Sequence, residues 1–168
     1  MINRIKNMQE LLQGDEAFIV ENASNRFYLT GFNSSAGVVL LTKEKAYFLI
    51  DFRYFEKAKK TVKTSEVILA SAFLEDISNI LQKENIKRVY FEVSAASVST
   101  YKKYSEKFNF ANVLDDEKCE KEILRLRSVK DENELQNIKC AQKLTDETFK
   151  YILYNPRRWF LKYKIPKR

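Results

Sequence analysis

Short runs of apolar, β-branched and aromatic residues alternate with helically spaced stretches all the way to Leu114, and this alternation limits the folds open to the chain. Ala17–Glu21 (AFIVE), Gly37–Leu41 (GVVLL), Ala46–Ile50 (AYFLI), Glu66–Ala70 (EVILA), Arg88–Val93 (RVYFEV) and Ala111–Leu114 read as strands. The second and third are separated only by the charged turn Thr42–Lys45, which predicts a β-hairpin. Between the strands lie helices. Ile2–Gln13 carries Ile5, Met8, Leu11 and Leu12 at helical spacing before Gly14, and Leu74–Glu84 carries Leu74, Ile77, Ile80 and Leu81 on one face. Asp51 is placed to cap a helix over Phe52–Lys60, and Ser97–Lys107 reads as a further helix. Alternation with one hairpin inside it predicts an α/β domain, a mixed β-sheet with helices on both faces, followed by a helical extension.

Past Asp115, Asp116 and Glu117 the character changes. From Cys119 the sequence is helical and highly charged. Ser128 and Asp131 stand in capping-box spacing, which predicts a new helix to about Leu153 with Leu135, Ile138, Ala141, Thr145, Phe149 and Ile152 along one stripe. The expected organisation is an α/β domain over 1–116, a helical linker over 117–128, a long helix over 129–153 and a basic tail over 154–168.

The net charge of +7 belongs to residues 150–168, the end of that helix and the tail. Beyond Phe149 stand seven basic residues (Lys150, Arg157, Arg158, Lys162, Lys164, Lys167 and Arg168) and no acidic one, so the body of the chain is neutral. A nucleic-acid groove spreads Lys and Arg over the folded surface, so the tail reads as solvated; RNA or anionic-membrane binding through Arg157, Arg158, Trp159 and Phe160 is the alternative. The N-terminal residues lack the apolar segment of a secretory signal, and no apolar run is long enough for a membrane helix. The two cysteines, Cys119 and Cys140, share no tight spacing and are expected as reduced thiols in a cytoplasmic protein.

There is no histidine, which removes His-based triads, Cys–His pairs and most catalytic zinc sites. The three glycines (Gly14, Gly31 and Gly37) cannot build a phosphate loop. Carboxylates remain. Glu21, Asp51 and Glu92 each follow a strand-like run and can share a sheet edge, where they read either as caps and solubilising groups or as ligands for a hard cation.

Three blocks, in order, resemble one family. Asn25 to Gly37 (NRFYLTGFNSSAG) is similar to its stretch N-x-x-Y-L-T-G-F, which ends in a small-residue loop. Asp51–Tyr54 (DFRY) resembles its D-x-R-Y after a hairpin, and Leu126–Leu135 (LRSVKDENEL) resembles the entry to its catalytic half. The family is the creatinase/prolidase group, the Xaa-Pro aminopeptidases and dipeptidases, and the likeness covers roughly residues 1–153.

The resemblance implies a creatinase-type N-terminal domain leading into a pita-bread metallopeptidase domain. There, Asp, His and Glu ligands hold two Mn or Co ions and the substrates are proline-containing peptides. None of those ligand motifs is present, so no catalytic or metal residue is assigned. After Leu153 the chain leaves the family pattern, and the expectation is that a frameshift or early stop has replaced the catalytic half, against a short protein with its own C-terminus. The resemblance also implies a homodimer in which the loop of one subunit nears the partner's active site. Phe32, Asn33, Ser34 and Ser35, with Arg53, then contact substrate in trans. Tyr28, Gly31, Gly37, Asp51, Arg127, Lys130 and Glu134 are the structural members of the motifs. Two other readings stand beside this non-catalytic, pocket-shaping domain: a stand-alone interaction module and a nucleic-acid binder.

Overall fold

Alternate residues of the apolar runs point to opposite sides, and the chain covers both sides with helices. The computed structural model describes residues 4–155. In chain order the elements are α1 (Arg4–Leu11), β1 (Glu16–Val20), α2 (Ala23–Thr30), β2 (Val38–Thr42), β3 (Ala46–Ile50), α3 (Phe52–Thr61), β4 (Glu66–Leu69), α4 (Phe73–Lys83), β5 (Arg88–Phe91), α5 (Val98–Lys107), β6 (Asn112–Leu114), α6 (Lys118–Ser128) and α7 (Glu132–Tyr154). The strands form one six-stranded sheet, ordered β4-β3-β2-β1-β5-β6. Only β2 runs against the others, so β1, β3, β4, β5 and β6 all end at one edge.

Phe18, Val20, Val39, Leu41, Phe48 and Ile50 face one core, closed by Ile5 and Met8 of α1, Tyr28 and Leu29 of α2, Ala58 of α3, and Cys119 and Ile123 of α6. Ala17, Ile19, Val38, Leu40, Tyr47 and Leu49 face the other, closed by Ile77 and Leu81 of α4, by Tyr104 of α5 and by Phe108 just after it. This is the expected mixed sheet between helices, with period-2 strands packed on period-3.6 faces. The chain divides into two compact units between Arg127 and Ser128. The first holds the sheet and α1–α6. Of the second, α7 is described to Tyr154, and none of its residues is buried.

Three local readings change. The stretch from Asn25 to Thr30, read as part of a motif leading to a loop, lies in α2. The Asn22 side chain accepts from the N–H groups of Ser24 and Asn25, and Gly31 ends the helix at φ 69°, its N–H bonded to the Phe27 carbonyl. Asn25, Arg26 and Thr30 are buried although polar, which breaks the apolar stripe by which a helix is recognised. The cap of α7 is Asp131 rather than Ser128. Asp131 accepts the Glu134 N–H at 2.9 Å, and the Glu134 carboxylate accepts the Asp131 N–H at 3.0 Å. Glu16 joins β1 and is buried, where its carboxylate accepts from the Gln13 N–H, the Tyr90 hydroxyl and the Lys118 ammonium. Burial opposes its ionisation, yet those donors hold its pKa below the ordinary value and tie α6 to the sheet. The basic residues from Pro156 onward, and the nucleic-acid reading that rests on them, lie outside the described residues.

Candidate functional site

The edge where β1, β3 and β5 end gathers most of the residues singled out in the sequence. The chain leaves β1 toward α2, on one face, and leaves β5 toward α5, on the other. Such a divergence opens a crevice in α/β sheets. Here it is a cleft of about 210 Å³ lined by Ile19, Glu21, Asn22, Phe91, Glu92, Ala95 and Ala96. In phosphate-binding folds, the backbone N–H groups at the start of the helix take an anion at this point. Here the N–H groups of Ser24 and Asn25 at the start of α2 go to Asn22 Oδ1, and Glu92 takes those of the turn that precedes the helix. Its Oε2 accepts from the N–H groups of Glu21 at 2.7 Å and Asn22 at 2.6 Å, and its Oε1 accepts from Asn25 Nδ2 at 2.5 Å. Burial pushes the Glu92 carboxyl above its ordinary pKa, the three hydrogen bonds pull back, and the Glu120 charge adds to the rise.

Asn25 continues the chain of bonds: its Oδ1 accepts from Arg127 Nη1 at 2.7 Å. A guanidinium only donates and an ionised carboxylate only accepts, so an amide between them has one orientation. Two separate motif blocks, one starting at Asn25 and one holding Arg127, therefore meet in space.

The loop from Gly31 to Gly37 hangs on the next residue. Arg26 is 3% exposed. Its Nη2 donates to the Ser34 carbonyl at 3.1 Å and its Nη1 to the Gly37 carbonyl at 2.5 Å, while Nε is buried without a hydrogen-bond partner. Burial lowers its pKa and the charges of Glu92 and Glu21 counter that. Thr30 Oγ1 donates to the Arg26 carbonyl and accepts the Phe32 N–H. The loop therefore presents alternate residues. Phe32 is buried edge-on against the rings of Phe48 and Tyr54, and Ser34 is buried, whereas Asn33 and Ser35 are exposed. Ser35 Oγ lies 3.0 Å from the Tyr54 hydroxyl, which joins the loop to α3.

At the start of α3, Asp51 caps the helix by accepting the Arg53 N–H, and its Oδ2 takes both Nε and Nη2 of the Arg53 guanidinium. The Arg53 fork holds the Asp51 carboxyl below the usual range. Tyr28 is in the core with the Arg4 guanidinium 4.2 Å over its ring. In the second unit, the Lys130 ammonium donates to the Ser128 carbonyl and Glu134 completes the α7 cap. Asn25 and Arg26, absent from the predicted site, are central to it. Their only sequence signal is that two strongly polar residues precede the apolar pair Phe27 and Tyr28 inside a recognisable block.

The acidic trio does not fit a cation. Glu92 is saturated by three N–H donors and Asp51 by Arg53, and among the described residues no group of three or more Asp, Glu, Cys or His can hold a metal ion. Both thiols are free; Cys119 is buried and its pKa is pushed up to about 12 by burial, whereas a reactive thiol requires a lowered pKa. Among the described residues no helix is long and apolar enough to cross a membrane.

Fold and edge together define an α/β domain that presents a braced loop at the ends of its parallel strands. Residues 4–129 match the creatinase/prolidase N-terminal domain model, and the chain belongs to that family. Peptidase YqhT of Bacillus subtilis is 31% identical over 90% of this chain, which spans 42% of that protein's length. The Xaa-Pro dipeptidase structure from Bacillus anthracis superposes with a TM-score of 0.80 at 26% identity, over 91% of this chain and 43% of its own. An Xaa-Pro aminopeptidase structure from Streptococcus pyogenes has a TM-score of 0.64 at 26% identity, over 71% of this chain and 94% of its own.

Proposed function

We propose that this chain serves as the non-catalytic N-terminal domain of an Xaa-Pro peptidase, pairing two subunits and shaping the pocket for proline-containing peptides. Family membership over residues 4–129 carries the reading. The loop geometry supports its finer part, because Asn33, Ser35 and Arg53 are exposed at one sheet edge while Phe32 and Ser34 act as braces. In this reading the two Mn or Co ions and the cleavage chemistry belong to a catalytic part outside the residues given. The setting is the cytoplasm, consistent with two free thiols. The chain alone, supplied with Mn²⁺ and Leu-Pro, should release no leucine above a blank. Turnover that follows the protein through gel filtration and is lost with a chelator would overturn the proposal.

A second reading, a self-associating module, is favoured by one observation. The stripe residues Leu135, Ile138 and Phe149 of α7 are all exposed, and apolar patches of that kind mark interaction surfaces. Both readings expect a dimer by sedimentation equilibrium; they differ in its location. Ile138→Glu with Phe149→Glu should halve the mass if α7 is the interface, and should leave it unchanged if the sheet domain is.

A further inference from the structure

The α2 helix has eight residues, too few to hold its own position, so tertiary bonds must place it. Those bonds come from two consecutive residues with opposite duties. Asn25 faces back to Glu92 and to Arg127, the last residue of the first compact unit. Arg26 faces forward, crossing the loop to the carbonyls of Ser34 and Gly37. The Arg26 carbonyl also reaches the loop through Thr30 Oγ1 and the Phe32 N–H. A helical step fixes the angle between neighbouring side chains, so a turn of α2 that frees Asn25 must swing Arg26 off its two carbonyls.

We propose that Arg127 is a positioning residue for the 31–37 loop, acting through Asn25 to seat α2 so that Arg26 can hold the loop. The coupling lies entirely within the first unit and uses bonds with only one donor–acceptor polarity, so it has two discrete arrangements, joined or broken. Glu92 reinforces it by accepting from Asn25 while its charge offsets the buried Arg26 cation. This inference deepens the proposed function and rests on it for its consequence, since the residues positioned are the exposed Asn33 and Ser35.

Hydrogen exchange on the 168-residue chain tests it. Arg127→Ala should speed exchange of the Phe32 amide and its loop neighbours about tenfold, with the amides of Leu40 and Phe48 in the sheet unchanged. Arg26→Met should give the same loop effect, and adding Arg127→Ala to it should change nothing further. Arg127→Gln, which keeps a donor, should recover part of the protection and decides the matter if the alanine variant does not fold. Loop exchange at the wild-type rate would overturn the proposal. So would equal acceleration of loop and sheet, which would make Arg127 a general stability residue. Neither result depends on dimer mass or peptide turnover, so the coupling and the functional reading fail separately.

Discussion

Replacing Glu92 with alanine is expected to lower stability by about 3 kcal/mol, from three donors at roughly 1 kcal/mol or more apiece that lose a buried acceptor. For a domain of this size that is a fall in Tm of roughly 10 °C. The N–H groups of Glu21 and Asn22 and the amide of Asn25 all end on this carboxylate, which is 4% exposed. The adjoining cleft lets water reach some of them, which keeps the estimate at the low end. Glu92→Gln gives a sharper test. Its carbonyl can serve the two backbone donors, but its NH₂ then meets the NH₂ of Asn25. Turning the Asn25 amide relieves that conflict only by presenting NH₂ to Arg127, so the glutamine variant is destabilised while that arginine is present and less so in an Arg127→Ala background.

The pH dependence has a definite sign. The folded Glu92 pKa lies above the ordinary value of 4.5, so its contribution is fully present below that value and is lost as pH rises through the folded pKa. A glutamine has no such loss, and the deficit of Glu92→Gln should therefore shrink with rising pH. Urea midpoints between about pH 4 and pH 8 measure it. A deficit that grows with pH would show that Glu92 is better stabilised ionised than neutral.

Gly37→Ala is expected to cost about 2–4 kcal/mol, strain and overlap together. Gly37 sits at φ +133°, and a Cβ there would lie 2.9 Å from Arg26 Nη1, 3.1 Å from the Leu49 carbonyl oxygen and 3.1 Å from the Phe48 ring. Two of those three neighbours cannot yield: one is sheet backbone and one is a fully buried ring. Because the guanidinium is the third, part of the loss should vanish when Arg26 is shortened, and a thermal-unfolding cycle of Gly37→Ala with Arg26→Ala measures that coupling. Gly14→Ala, with nothing within 4 Å of its Cβ, is the control and should leave Tm unchanged or slightly raised. Losses of equal size at both glycines would mean that the tight approach around Gly37 is not what limits the side chain.

Strands were the most legible part of the chain, because AFIVE, GVVLL, AYFLI, EVILA and RVYFEV are β-branched and aromatic runs that no helix face explains. Their ends moved by one or two residues: β5 stops at Phe91, and β1 gained Glu16, a carboxylate that belongs in the sheet only because Tyr90, Lys118 and Gln13 are waiting for it. The α2 helix was hidden for the same reason. A polar residue reads as exposed unless its buried partners are known, and the partners of Asn25 are 67 and 102 residues away in sequence. Ser128 and Asp131 show a different limit: two overlapping cap signals share the residue Asp131, and local spacing cannot say which one the helix uses.

The layered α/β class, the hairpin and the Asp51 cap were legible along the chain because period and local hydrogen bonding act over a few residues, and the family was legible from three motif blocks in order. Folding had to bring partners together before it was settled which loop residues face outward, that Glu92 takes the N–H groups beside the cleft at the strand ends, and that Arg127 and Asn25 meet. Those outcomes depend on which donors and acceptors the fold brings within 3 Å of one another after the sheet is built, and spacing along the chain carries no record of that.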